Sequence, residues 1–164
     1  MRRLELVIAL TVVVLDQWTK SLVRARLELH DSLDVVAGWL SLTRVHNSGA
    51  AFGMLNATDF PLKTVILIAV AGGALAGVAW YAASLPEDNR VARIGIAGVL
   101  GGAIGNLIDR ATAGYVLDFV DAYWGSWHFW AFNVADAAIT VGVAFMLLDV
   151  VLDFLGYRRA PNPA

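Results

Sequence analysis

The sequence predicts an all-α membrane protein with four transmembrane helices, and three observations carry that prediction. Of 164 residues, 59% are hydrophobic and only 16% charged, against about 25% charged in an ordinary soluble domain, and the mean hydropathy is +0.65. Four apolar stretches approach the roughly 20 residues needed to cross a bilayer. The remaining polar residues gather at matching depths in different stretches. One domain over residues 1–164 is expected. A formal net charge of −2 with no run of like charges argues against a nucleic-acid partner, and the absence of Cys excludes disulfides, a thiol nucleophile and thiolate metal sites.

The spans run over about residues 4–23, 61–85, 91–107 and 129–148. The first follows Met-Arg-Arg as a signal peptide would, but no small-x-small site follows it and Asp16, Gln17 and Lys20 interrupt its distal half, so it reads as a retained span. Between the first two spans, Val35 to Val45 is rich in Val, Trp, Leu and Thr before Asn47-Ser48-Gly49 turns the chain, which suits short strands on the outer surface. Between the last two, Ala111 to His128 carries Tyr115, Tyr123, Trp124 and Trp127, aromatics that favour the headgroup zone, so this segment is expected to lie along the interface. Arg2 and Arg3, Arg90 and Arg93, and Arg158 and Arg159 fall on one side of an even number of spans, which predicts cytoplasmic termini; Arg24, Arg26 and Arg44 oppose this bias.

At about 1.5 Å of rise per helical residue, Asp16 lies about two-thirds of the way out along the first span. Asn106, Asp109 and Arg110 lie at the outer end of the third, and Asn133 and Asp136 near the outer start of the fourth. They converge on one level of the membrane, and reversing the topology would not disperse them. Asp16 and Lys20, at i and i+4, can neutralise each other as structural support or form part of a binding site. In Gly101-Gly102-Ala103-Ile104-Gly105-Asn106-Leu107-Ile108-Asp109-Arg110, small residues permit close helix packing and Asn106 and Asp109 share a face. Asp149 and Asp153 read as an interfacial cluster at the inner end, near Arg158 and Arg159.

Asp118 and Asp136 each sit among apolar neighbours. Two carboxylates brought together share a proton, so one can act as base on water while the other donates to a carbonyl, the minimum equipment of an aspartic peptidase. Spacing alone leaves this level with a helix N-cap for Asp118 and a buried, hydrogen-bonded acid for Asp136. A small proton-coupled transporter or channel subunit would also place acids in spans, and a membrane assembly factor would use the glycine seam without needing either aspartate. Ser21 with Lys20 as base is weaker, since chain neighbours point to different parts of a helix surface.

Five blocks, Asp16-Gln17-Trp18-Thr19-Lys20, Val45-His46-Asn47-Ser48-Gly49-Ala50-Ala51-Phe52-Gly53, the Gly101 to Arg110 segment, Val116-x-Asp118-Phe-x-Asp121 and Phe132-Asn133-x-Ala135-Asp136, occur in order over nearly the whole chain. Together they resemble bacterial lipoprotein signal peptidase, also called prolipoprotein signal peptidase or signal peptidase II. One departure is Trp130-Ala131, where many members carry a proline. The resemblance implies an intramembrane aspartic endopeptidase of the bacterial inner membrane that works without a metal or organic cofactor. It implies four spans with an outer β-cradle after helix one and an interfacial helix before helix four. It further implies that Asp118 and Asp136 are the catalytic pair, supported by Asp16, Lys20, Asn47, Gly49, Asn106, Asp109, Arg110 and Asn133. The expected partners are membrane lipids and a prolipoprotein carrying diacylglycerol on a cysteine, cut on the amino side of that cysteine, with the enzyme acting as a monomer.

Overall fold

The computed structural model describes residues 3–50, 54–55, 58 and 60–157. In chain order it contains α1 (Arg3–Arg26), β1 (Ser32–Val36), β2 (Leu40–Asn47), α2 (Lys63–Ser84), α3 (Arg90–Ala113), β3 (Val116–Trp124), β4 (Trp127–His128) and α4 (Val134–Phe154). The helices are 24, 22, 24 and 21 residues long and apolar enough to cross a membrane. At 1.5 Å per residue the shortest spans about 31 Å, enough for a hydrocarbon core of roughly 30 Å. Leu10, Val14, Val70, Trp80 and Leu147 stand exposed along their length, as side chains facing lipid do.

α3 is the central helix and packs against α1, α2 and α4. Backbone-to-backbone approach explains its small residues: a Cβ at Gly101 would lie 2.7 Å from the Ala9 carbonyl oxygen, and one at Gly102 would collide with that of Ala135. In lipid, where apolar burial does not drive helices together, such close contact supplies van der Waals attraction instead.

The strands form one antiparallel sheet in the order β1-β2-β3-β4, with Val45 opposite Asp118 and Asn47 opposite Val116. Val23, Leu117 and Phe119 form a buried cluster that ties the sheet to α1 and, through Val134, to α4. Each such side chain contributes about 1.5–3 kcal/mol where its burial removes it from water.

Four expectations change. Residues 116–128 form strands β3 and β4 and not an interfacial helix, because β2 offers a ladder partner and the run is rich in β-branched and aromatic residues, buried on both faces from Val116 to Phe119. α3 continues past Leu107 to Ala113, since the polar side chains of Asn106, Asp109 and Arg110 find partners inside the bundle. α4 starts at Val134 instead of 129, because Phe132 is bridged to Val120 in extended conformation and Asn133 caps the helix. At the opposite end Asp149 is buried and accepts from Asn89 at 3.0 Å, so it is an internal contact and not a solvated interfacial charge; Arg158 and Arg159 lie outside the described residues.

Candidate active site

α1 contributes Asp16, Lys20 and Arg24 on one face, at successive i, i+4 positions. Lys20 is fully buried, with its ammonium 2.8 Å from Asp16 Oδ2 and 3.0 Å from Asp109 Oδ2. Burying an ammonium costs on the order of several kcal/mol unless acids and hydrogen bonds compensate. Here both do. Arg24 reaches the other Asp109 oxygen at 2.7 Å, and the Leu117 amide donates to Asp109 at 3.0 Å, so this cluster also fixes the start of β3. Asp16 Oδ1 accepts from the Ala135 amide at 3.0 Å, joining α1 to the first turn of α4. A Cβ at Gly105 would lie 2.6 Å from Asp16 Oδ2, so glycine is needed for the carboxylate to fit.

Lys20 also donates to Asn106 Oδ1 at 3.0 Å, which orients the Asn106 amide so that its Nδ2 donates to Asp136 Oδ1 at 2.8 Å. Asn133 and Asp136 form a capping box at the start of α4: the Asp136 amide donates to Asn133 Oδ1 and the Asn133 amide donates to Asp136 Oδ2. The Asn133 side chain is then free to donate through Nδ2 to Asp118 Oδ1 at 2.7 Å. Asn47 donates to Asp118 Oδ2 at 3.0 Å from the end of β2. Arg110 donates to the Gly49 carbonyl at 2.9 Å, holding the turn after β2. Every sequence-predicted site residue thus enters one connected network.

Asp118 and Asp136 line a cavity of about 650 Å³ that continues past Phe129 and Trp130 and along Ile139, Thr140 and Val141. The dyad therefore shares its cavity with polar side chains and with a larger set of apolar ones. Burial, and next the neighbouring Asp136 carboxylate, push Asp118 up to about 7, against the pull of the Asn47 and Asn133 amides. Such a group changes protonation near neutral pH, as an acid–base catalyst must.

A family model described as Signal peptidase (SPase) II matches residues 8–152. The chain belongs to the signal peptidase II family. It is 42% identical over 149 residues to a lipoprotein signal peptidase of Symbiobacterium thermophilum, covering 91% of this chain and 95% of the relative. With a lipoprotein signal peptidase of Geobacter metallireducens it shares 46% identity over 140 residues, covering 85% of each. A bacterial membrane enzyme solved by the in meso method at 2.3 Å resolution superimposes with a TM-score of 0.81 at 27% identity, covering 98% of this chain and 93% of that one. This signal peptidase is an aspartic peptidase and a multi-pass membrane protein. The transporter and assembly-factor alternatives give way to that membership.

Sequence reasoning missed some parts of the network. Gln17 donates to Asp16 Oδ2 at 3.0 Å and to the Gly105 carbonyl at 3.1 Å. Arg24, counted above only as a loop charge, pairs with Asp109; its i+4 spacing from Lys20 was the available signal. His46 stacks on Tyr115 at 3.7 Å, while His128 pairs with Asp121 at 2.9 Å. Burial, followed by the nearby Arg44, holds His46 below the usual imidazole range.

Proposed function

We propose that Asp118 and Asp136 are the catalytic dyad with which this signal peptidase cuts lipoprotein precursors that already carry diacylglycerol on a cysteine. The cut falls on the amino side of that cysteine and frees the signal peptide. The observation that carries this reading is the pairing of two carboxylates from separate elements, held by amides, at the head of one cavity.

The dyad shares one proton. The ionised carboxylate takes a proton from water, whose oxygen attacks the scissile carbonyl, while the protonated carboxyl donates to the carbonyl oxygen. The tetrahedral intermediate collapses as the C–N bond breaks: the proton taken from water passes to the leaving amine, and the hydroxyl that becomes the new carbonyl returns its proton to the carboxylate that supplied it. The asparagine amides donate to the carboxylates in fixed directions, which keeps the lone pairs aimed at substrate through the cycle.

Asp16, Lys20, Asp109 and Arg110 act as the frame, and Asn47, Gly49, Asn106 and Asn133 as the inner support of the dyad. The whole of residues 1–164 works as one peptidase domain, and as a monomer it already holds both carboxylates and the amides that orient them. It resides in the bacterial inner membrane with both termini cytoplasmic and the site toward the outer leaflet. The arginine distribution and the even number of spans support this orientation. A site at that depth receives a lipid-anchored signal helix laterally, and the acyl chains orient the scissile bond by remote binding.

The test is cleavage of matched precursors by the purified enzyme. The diacylglyceryl-modified precursor is turned over, the unmodified one poorly, and Asp118→Asn and Asp136→Asn turn over neither while remaining folded. Turnover by either variant refutes the dyad; equal cleavage of both precursors refutes the lipid requirement.

A further inference from the structure

The start of α2 breaks several local rules at once. Leu62, its N-cap, has φ 64 and makes no side-chain cap hydrogen bond. Leu55 also has φ 64. Left-handed conformations of this kind cost non-glycine residues on the order of 1 kcal/mol or more each. The first helical residue is Lys63, a cation at the positive end of the helix dipole, where an acid is favoured. Its side chain is nonetheless buried, at 7% exposure.

The surroundings of Lys63 differ from those of Lys20. Lys20 meets two aspartates. Lys63 donates to Ser48 Oγ at 3.2 Å and to the Thr58 carbonyl at 2.7 Å, and among the described residues no carboxylate pairs with it. Among the described residues its ammonium meets neutral acceptors, which compensate a buried charge less well than the two aspartates compensate Lys20. Unfavourable choices that coincide at one place are expected where the structure serves a site.

The place is next to the dyad. Three successive residues at the end of β2 are held from three different elements. Asn47 bonds to Asp118 of β3 at 3.0 Å, Ser48 accepts from Lys63 of α2, and the Gly49 carbonyl accepts from Arg110 of α3 at 2.9 Å. The Gly49 amide closes the turn on Asn47 Oδ1 at 3.0 Å, which fixes which end of the Asn47 side chain faces Asp118. Because these residues are adjacent in the chain, displacement of Ser48 is passed to both neighbours.

We infer that Lys63 is a positioning residue of the active site, holding Ser48 against α2 so that the Asn47 amide stays on Asp118. This rests on the reading of Asp118 as catalytic. It also gives α2, which otherwise presents lipid-facing side chains, a defined role in the site. Without the Lys63 contact the turn relaxes, the Asn47 donor leaves Asp118, and the charged form of that carboxylate loses a hydrogen bond that favours it.

The test uses the full-length enzyme with a diacylglyceryl-modified precursor, measuring kcat, KM and the pH dependence of kcat for Lys63→Met, Lys63→Arg, Ser48→Ala and the Lys63→Met/Ser48→Ala double variant, beside Asp118→Asn. Lys63→Met is expected to lower kcat by about tenfold with KM little changed, and to move the dyad's titration to higher pH. Lys63→Arg, which keeps donors at the same place, recovers much of the loss. Ser48→Ala reproduces the pH displacement, and the double variant is no worse than Lys63→Met because both changes remove one interaction. If Lys63→Met does not fold, Ser48→Ala alone decides. Wild-type kcat and pH profile in the folded variants, with Asp118→Asn inactive, overturn the role of Lys63 and leave the dyad standing. An active Asp118→Asn enzyme would overturn the underlying assignment itself.

Discussion

Two pairs of aspartates lie at the same end of the bundle and are held in opposite ways. Asp16 and Asp109 flank the buried Lys20, and Arg24 adds a second cation to Asp109. Asp118 and Asp136 receive the side-chain amides of Asn47, Asn133 and Asn106 and face a cavity. Cations in direct contact offset the burial of a carboxylate and hold it in place, which suits a frame. Amide donors aim a carboxylate without dictating its charge so strongly, which leaves burial and the second acid to hold a proton near neutrality. Asn106 joins the two systems by accepting from Lys20 and donating to Asp136, so the frame orients the dyad through one neutral side chain.

The largest effect that separates the pairs concerns which property is lost. Asp118→Asn and Asp136→Asn should lower kcat by roughly 10³-fold or more with no loss of thermal stability, since an amide keeps the size but cannot carry the proton. Asp109→Asn should instead act first on stability, by roughly 3 kcal/mol, because it leaves Lys20 and Arg24 short of a charge in a buried place. Thermal unfolding in detergent alongside turnover resolves the two. Loss of activity without loss of stability in Asp109→Asn would erase the distinction.

A smaller effect is expected from the amides. Asn133→Ala and Asn106→Ala should lower turnover roughly 10- to 100-fold through misaimed carboxylates. Asn133→Ala should also cost about 1 kcal/mol for the lost α4 cap. Asp149→Asn at the far end should leave turnover within about twofold, since it is remote from the dyad and its amide can still accept from Asn89. If Asp149→Asn were as damaging as Asn133→Ala in an enzyme of equal stability, the division between the two ends of the bundle would be wrong.

Much of this arrangement was legible in the sequence because its rules are local. The i, i+4 spacing of Asp16 and Lys20 and the shared face of Asn106 and Asp109 follow from helix geometry, and matching depths in antiparallel spans bring them together. Partners distant in the chain were not legible. Val116 to Trp124 becomes a strand because β2, some 70 residues earlier, offers its edge, and aromatic content alone suited an interfacial segment equally well. Phe129 to Phe132 is apolar enough to extend a span, and only the bridge to Val120 shows that it is not helical. Lys63 carries no signal of its own in the sequence, because its partner Ser48, fifteen residues earlier, is brought to it only by the folded turn.

The smallest expected effect is on stability against pH. A carboxyl raised to about 7 in the folded protein, from about 3.9 when unfolded, binds more protons folded than unfolded between those values. Its contribution to stability is complete below about pH 4 and is lost as the pH rises through about 7. Asp118→Asn should therefore melt several degrees above the parent at pH 8, with the gain shrinking toward pH 4–5. A constant difference across that range would place the raised titration elsewhere.

The central claim, that the amide-held pair shares a proton while the lysine-held pair does not, is tested most directly by infrared difference spectroscopy of the carboxyl C=O stretch between mildly acidic and alkaline pH. The parent enzyme should show a protonated carboxyl that titrates near neutrality, and Asp118→Asn and Asp136→Asn should each abolish or displace that band while a folded Asp16→Asn enzyme keeps it. A band that persists unchanged in both dyad variants and disappears in Asp16→Asn would show that the proton belongs to the lysine-held pair.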